Sequence, residues 1–143
     1  MENHILSPIE RLEQTLYDLS DSFRKHHEYI KMKYKVSAIE LEIVLFVILQ
    51  GRKKMKEIGQ HFNIKLSTLT SVIDKLERRK FIKRVNSKED RRVVYLVATT
   101  KGQKLYEKYT NYLSVVGLQM KREMQDDFGK FVSGIEKVAS IGF

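Results

Sequence analysis

A chain of 143 residues with 42% hydrophobic content is the size of one domain and has enough apolar residues to form a core. It contains no cysteine, which excludes disulfides, thiolate metal sites and thiol nucleophiles. The formal net charge of +9 lies wholly between Arg52 and Arg92, where 14 Lys and Arg residues accompany 5 Asp and Glu residues, while the rest of the chain carries 13 of each sign.

The first predicted helix begins at a capping box, residues 7–10, which includes a proline suited to the first helical turn. Its apolar side chains recur at alternating spacings of four and three residues, and His26 occupies the remaining place in that series. The apolar members are Ile5, Ile9, Leu12, Leu16, Leu19, Phe23 and Ile30. This spacing predicts a coiled-coil-like seam.

A second capping box, residues 37–40, begins a helix that is apolar on nearly every side up to Leu49 and can end at Gly51 in the left-handed conformation. The sequence then predicts a short helix from Met55 to Phe62, a tight turn at residues 63–64, and a helix from Leu66 to Arg79. The apolar residues of the last helix share one face: Leu66, Leu69, Val72, Ile73 and Leu76. Together these segments predict a buried core helix followed by a helix-turn-helix.

Two segments rich in β-branched and aromatic residues, 81–85 and 93–97, predict a β-hairpin, here named the wing, with residues 86–92 as its loop. Thr99 can cap the next helix, which has apolar residues at helical spacing: Leu105, Tyr109, Tyr112, Val116 and Met120. Asp126 or Asp127 can cap a final helix with its own apolar positions: Phe128, Phe131, Ile135 and Val138.

The helix from Leu66 to Arg79, here named the recognition helix, has the pattern needed to read DNA. The major groove of B-DNA admits an α-helix and displays distinguishable donors and acceptors on each base pair. Small polar and cationic side chains near the start of this helix are predicted to contact base edges: Lys65, Ser67, Thr68, Thr70 and Ser71. Lys75 and Arg78 lie farther along and suit phosphates. The basic block alone also fits an acidic membrane surface or a solvated face, but the motif within it favours DNA.

Four short motifs follow one another between residues 76 and 102: Leu76-Glu77-Arg78-Arg79, Ile82-Lys83-Arg84, Glu89-Asp90-Arg91-Arg92 and Thr99-Thr100-Lys101-Gly102. This run resembles the signature of the MarR-type (multiple-antibiotic-resistance regulator) winged helix-turn-helix proteins, and the resemblance extends from the first helix to the last. It implies a mostly α fold with a small β-wing in a single domain. In that fold, residues 37–98 form the winged helix-turn-helix region, and residues 8–35 and 99–143 form dimerisation helices.

The resemblance also implies a function, that of a homodimeric transcriptional regulator with recognition helices in adjacent major grooves and wing tips in the flanking minor grooves. In the family's Asp-x-Arg motif the arginine enters the minor groove, which implies this role for Arg92, with Asp90 bracing it and Arg91 beside it. A narrow minor groove concentrates negative potential, which suits arginine. Arg84 completes the set of expected DNA contacts.

Two departures from the family pattern concern the ends of the recognition helix. Lys80 stands where glycine is usual, so we expect a non-glycine residue to end the recognition helix at a conformational cost. Lys65 stands where a capping serine is frequent, which predicts a weaker helix start with an added cation.

Several classes of function are disfavoured. The sequence has no glycine-rich phosphate loop, nucleophile elbow or His-Glu-x-x-His pair, so we expect neither an enzyme nor a cofactor. Adjacent histidines on a helix point about 100° apart, so the cluster at residues 26–28 is not expected to bind a metal. The longest apolar run, residues 43–49, is far short of the roughly 20 residues that span a bilayer, and the N-terminus has no basic leader pattern. We expect a soluble, cytoplasmic protein.

Many MarR-type proteins bind amphipathic or phenolic effectors between the dimer helices and the winged region. Aromatic residues available for such a cleft are Tyr29, Tyr34, Phe46 and Tyr109, although aromatics at helical spacing are more often core. We therefore expect a repressor of a pseudo-palindromic operator that is released by a small effector. Two alternatives remain open: an effector-independent architectural DNA binder, and a protein-interaction module whose basic segment is solubilising.

Overall fold

The computed structural model describes residues 6–90 and 92–141. A first compact unit ends at Tyr109 and a second begins at Thr110. The helices and strands in these residues are α1 (Pro8–Tyr34), α2 (Ala38–Leu49), β1 (Lys53–Lys54), α3 (Met55–His61), α4 (Leu66–Arg78), β2 (Ile82–Asn86), β3 (Val94–Ala98), α5 (Thr100–Met124) and α6 (Phe128–Ile141). None of the helices in this part of the chain is long and apolar enough to cross a membrane.

Both predicted capping boxes are present. At the start of α1, Ser7 Oγ accepts the N–H of Glu10 at 3.2 Å, and Glu10 Oε2 accepts the N–H of Ser7 at 2.7 Å. Ser37 and Glu40 make the same exchange at the start of α2, at 3.3 and 2.8 Å. Gly51, with φ of +73°, has the left-handed backbone expected after the end of α2.

The core of the first unit forms around α2 and α4. The prediction that α2 is a core helix is confirmed, because six of its twelve residues are buried. The recognition helix, α4, buries Leu69, Ile73 and Leu76 completely. Leu66, which the apolar spacing also assigns to this face, is 62% exposed. Leu66 is the first residue of α4 and precedes the turns that pack on the core.

The wing belongs to a three-stranded antiparallel sheet with the order β1-β3-β2. Ile82 pairs with Ala98 and Asn86 with Val94, so both strands lie one residue later than predicted. The expectation of only two strands is corrected by β1, whose Lys53 pairs with Leu96. A strand of two lysines is too short and too polar to show the alternation by which strands are predicted.

Both ends of α4 have the features that the departures from the family pattern predict. Lys80 has φ of +62°, and its N–H donates to Glu77 O at 2.9 Å while the N–H of Phe81 donates to Leu76 O at 2.9 Å. These two bonds form a Schellman motif, in which the left-handed residue is usually glycine. At the other end of α4, the side chain of Lys65 makes no capping hydrogen bond.

Replacing Lys80 by glycine is expected to raise the free energy of unfolding by about 0.5 to 1 kcal/mol. A left-handed backbone costs an L-residue roughly 1 to 2 kcal/mol, and glycine removes this cost. The gain in stability is partly offset because glycine has more conformational freedom in the unfolded chain. The side chain of Lys80 is exposed, so little packing is lost. Urea denaturation measures the difference, and Lys80→Ala, which keeps the strain, is the control. A glycine variant no more stable than the alanine variant would contradict this account.

The second unit contains the rest of α5 and all of α6. A turn of 3-10 helix, Gln125–Asp127, joins the two helices, and Gln125 has φ of +47°. Asp126 and Asp127, either of which we predicted to cap the final helix, both lie in this turn, and Asp127 directly precedes α6. Its Oδ1 accepts from Lys130 Nζ at 3.1 Å. The unit exposes several large apolar side chains: Leu113, Val115, Leu118, Val132, Ile135, Val138 and Ile141.

Candidate nucleic-acid interface

The recognition helix presents a polar face away from its buried apolar stripe. Of the residues predicted to contact DNA from this helix, most are exposed: Lys65, Ser67, Thr68, Ser71, Lys75 and Arg78. Thr70 is half-buried, and its Oγ1 donates to Leu66 O at 2.8 Å. The helix therefore offers hydroxyl groups near its start and cations at Lys65 and Arg78.

A buried carboxylate fixes the recognition helix to α2. Glu40 has a side chain that is 3% exposed, and its Oε1 lies 2.7 Å from Lys75 Nζ. Burial alone would raise the pKa of Glu40, but hydrogen bonds from Lys75 and from the backbone of Ser37 outweigh it, so the pKa is lowered and Glu40 stays ionised. Lys75, predicted to contact phosphate, is thus already paired within the protein.

Arg79 joins the end of the recognition helix to the end of α1. Its Nη1 donates to Lys35 O at 2.8 Å, and its Nη2 donates to Tyr34 O. The same guanidinium lies 3.7 Å from Glu40 Oε2. One side chain therefore contacts the end of α1 and the start of α2.

Arg84 braces the wing against the recognition helix. Its Nη2 lies 2.6 Å from Asp74 Oδ1, and its Nη1 is paired with the carboxylate of Glu77. Its backbone N–H also donates to Glu77 Oε1 at 3.1 Å. Burial alone would lower the pKa of Arg84, but the hydrogen bond to Asp74 and the charge of Glu77 raise it. The guanidinium predicted to contact DNA is therefore engaged by two carboxylates.

The tip of the wing is ordered by its own hydrogen bonds. Ser87 Oγ accepts the backbone N–H groups of Glu89 and Asp90, at 3.2 and 3.4 Å. Asp90 Oδ1 accepts the N–H of Arg92 at 2.9 Å, and Asp90 O accepts the N–H of Val93 at 2.9 Å. Asp90 thus fixes the backbone that carries the exposed Arg92. Arg91, also predicted to contact DNA, lies outside the described residues.

The fold forms a second basic surface whose residues were not predicted from the sequence. Lys54, Lys56 and Arg92 line one groove of about 330 Å³ at the start of α3. Beside it, the guanidinium of Arg52 lies 4.7 Å from the centre of the Tyr95 ring. The run of cations at residues 52–56 was visible in the sequence, but its position next to Arg92 depends on the pairing of β1 with β3.

Two of the aromatic residues predicted to bind an effector lie beside His26. The ring centres of Tyr29 and Tyr109 are 6.4 and 5.9 Å from that of His26, and His26 Nε2 is 2.9 Å from Tyr109 O. Burial raises the pKa of the Tyr109 hydroxyl. No group of three or more histidine or acidic side chains within residues 6–90 and 92–141 is arranged to hold a metal ion.

The other two aromatic residues lie elsewhere in the first unit. Phe46 stacks on His61 with ring centres 4.1 Å apart and contacts Phe62 edge-on at 5.5 Å. Tyr34 is half-buried against the core. Of the four predicted effector residues, Tyr29 and Tyr109 therefore lie together beside His26, and the other two lie apart from them.

A short helix, a tight turn and an amphipathic recognition helix, followed by a β-hairpin with a cationic tip, define a winged helix-turn-helix protein. The model of the MarR family matches residues 41–94, from α2 to the start of β3. The chain belongs to the MarR family and is a transcriptional regulator with that family's DNA-binding fold.

Individual relatives agree with this assignment. YpoP of Bacillus subtilis, an uncharacterized HTH-type transcriptional regulator, is 31% identical over 109 residues, which are 69% of this chain and 77% of YpoP. A MarR-like transcriptional regulator from Thermotoga maritima superposes with a TM-score of 0.70 at 27% identity, covering 96% of this chain and 97% of that one. The fold is also that of MepR from S. aureus in its complex with DNA, with a TM-score of 0.69 at 16% identity over 90% of this chain and 97% of MepR.

Proposed function

We propose that the protein is a homodimeric repressor that binds a specific double-stranded DNA operator. The observation that carries the proposal is the exposed polar face of α4, which presents Ser67, Ser71 and Arg78 next to a wing whose tip presents Arg92. Hydroxyl groups suit base edges in the major groove, and arginines suit phosphates and a narrow minor groove. The MepR–DNA complex supports DNA as the partner of this fold.

The proposal of a homodimer rests on apolar side chains that the single chain leaves in water. On α1, the seam residues Ile9, Leu12 and Leu16 are 64%, 53% and 52% exposed. Farther along the seam, Ile30 is buried in the core of the first unit. A second copy would cover the exposed part of the seam, in line with the dimerisation role proposed for residues 8–35 and 99–143.

A symmetric dimer presents two recognition helices and reads two half-sites about one helical turn, roughly 34 Å, apart. Repression follows when the bound dimer occupies DNA that the transcription machinery needs. An effector would release the dimer only if it bound more tightly to a state in which the two helices no longer fit adjacent grooves. The aromatic pair beside His26, Tyr29 and Tyr109, is the proposed contact for such a ligand, and Arg79 then relays a movement of α1 to α4.

Selection of bound duplexes from a random pool tests this function. We expect the purified protein to enrich a sequence with two inverted half-sites, and sedimentation to show two protein chains on each duplex. Enrichment of a single, non-repeated site by a monomer would exclude the homodimer. Enrichment of no sequence, despite binding, would favour the architectural alternative. Titration of phenolic and amphipathic acids against the enriched operator then tests the proposed release.

Replacing Arg78 by alanine is expected to weaken binding to every duplex and to make the salt dependence shallower. Each phosphate neutralised contributes about −0.9 to the slope of log K against log salt, so a dimer that loses two contacts loses about 1.8 from that slope. Binding isotherms over a range of salt concentrations measure this change. Lys104→Ala removes an exposed cation from α5 and is the matched control, with an expected slope equal to the wild type. Equal slopes for both variants would remove Arg78 from the interface.

A further inference from the structure

One apolar side chain stands out on the helix-turn-helix. Leu66 is 62% exposed, whereas Leu69 on the next turn of α4 is fully buried. Most of the other large exposed apolar residues lie on α1, α5 and α6. Within residues 37–90 and 92–98, the only others are Leu49, at the end of α2, and Val85, on β2. Dimerisation through the terminal helices therefore leaves the exposure of Leu66 unexplained.

The surroundings of Leu66 are those of a DNA-facing surface. Its chain neighbours Lys65 and Ser67 are both exposed. Leu66 lines a shallow, mainly apolar groove of about 410 Å³ between α3 and the start of α4, and Lys56 and Gln60 line it as well. An apolar group bordered by cations and amides would be poorly matched to a purely apolar partner.

The major groove offers one apolar group at a base edge, the C5-methyl of thymine, which lies beside the O4 acceptor and within reach of the phosphates. We propose that Leu66 packs against the methyl group of a thymine in each half-site and so determines specificity at that base pair. This inference rests on the proposed function, because it assigns a base to the start of the recognition helix. Burial of one methyl group corresponds to about fourfold in affinity per half-site, or about fifteenfold for the two together.

The test removes either side of the contact, the thymine methyl group or the leucine side chain. In the operator enriched from the random pool, thymines of one half-site are replaced one at a time by deoxyuridine, which lacks only the C5-methyl. Dissociation constants are measured for the wild type, Leu66→Ala and Leu49→Ala. Leu49 is 65% exposed and lies outside the helix-turn-helix, so Leu49→Ala is the matched control for loss of an exposed leucine.

We expect one thymine position at which deoxyuridine weakens wild-type binding about fourfold. Leu66→Ala is expected to bind the two operators equally, and Leu49→Ala to keep the wild-type ratio. The inference is overturned if no thymine shows a methyl effect, or if Leu66→Ala retains the effect. Failure of the wild type to bind any duplex would instead refute the proposed function, so the two failures are distinguishable.

Discussion

Replacing Arg92 by alanine is expected to weaken operator binding by about 1 to 3 kcal/mol, or about 5- to 150-fold. The side chain is exposed at the wing tip, and its backbone is fixed by the carboxylate of Asp90 at 2.9 Å. An arginine whose backbone is already fixed loses less entropy on insertion into a minor groove than one on a freely moving loop. Competition binding against the enriched operator measures the loss.

The expected loss depends on the DNA that flanks the half-sites. A-tracts have a narrow minor groove with enhanced negative potential, so the effect of Arg92→Ala should be larger on A·T-rich than on G·C-rich flanks. Lys88→Ala, which removes another exposed cation from the same loop, is the control and should weaken both duplexes alike. If Arg92→Ala had the affinity of the wild type on A·T-rich flanks, Arg92 would not be a DNA contact.

Replacing Gly102 by alanine is expected to lower the free energy of unfolding by about 3 kcal/mol. A Cβ on Gly102 would lie only 2.2 Å from the carbonyl oxygen of Phe81. That carbonyl also accepts the N–H of Thr99 at 3.1 Å, and Phe81 is 1% exposed, so the backbone cannot easily move away. The start of α5 and the residue before β2 would have to separate.

Gly117 is the matched control because it lies in the same helix, α5, and, apart from its chain neighbours and the backbone of its own helix, no atom lies within 4 Å of the position that its Cβ would occupy. Gly117→Ala should raise stability by roughly 0.5 to 1 kcal/mol, because glycine costs this much within a helix. Urea denaturation of both variants gives the comparison. A Gly102→Ala variant as stable as Gly117→Ala would show that the close approach to Phe81 is not rigid.

Elements with strong local patterns were predicted well from the sequence. The capping boxes at Ser7 and Ser37 gave the starts of α1 and α2, and the apolar spacing of Leu69, Ile73 and Leu76 gave the buried face of α4. The left-handed backbone at Lys80 was expected because glycine usually occupies that place in the family. In each case the residues that predict the structural feature lie within a few positions of it in the sequence.

Features that depend on distant contacts were missed. β1 pairs with β3 across more than 40 residues, and a pair of lysines has no periodicity to reveal it. The sequence assigned Lys75 and Arg84 to DNA as free cations, but Glu40, Asp74 and Glu77 pair with them in the fold. A charge pattern gives the number of cations in a segment and does not identify which of them a carboxylate neutralises.

The helix-turn-helix and wing are proposed to bind duplex DNA through phosphate and base contacts, and a salt titration measures the phosphate contacts. If the three exposed cations Lys65, Arg78 and Arg92 of each subunit each release one counterion from the DNA, the dimer should give a slope of about −5 for log K against log salt. The enriched operator should also be bound more tightly than an unrelated duplex at every salt concentration. The absence of duplex binding at low salt, or binding that does not change with salt, would contradict the claim.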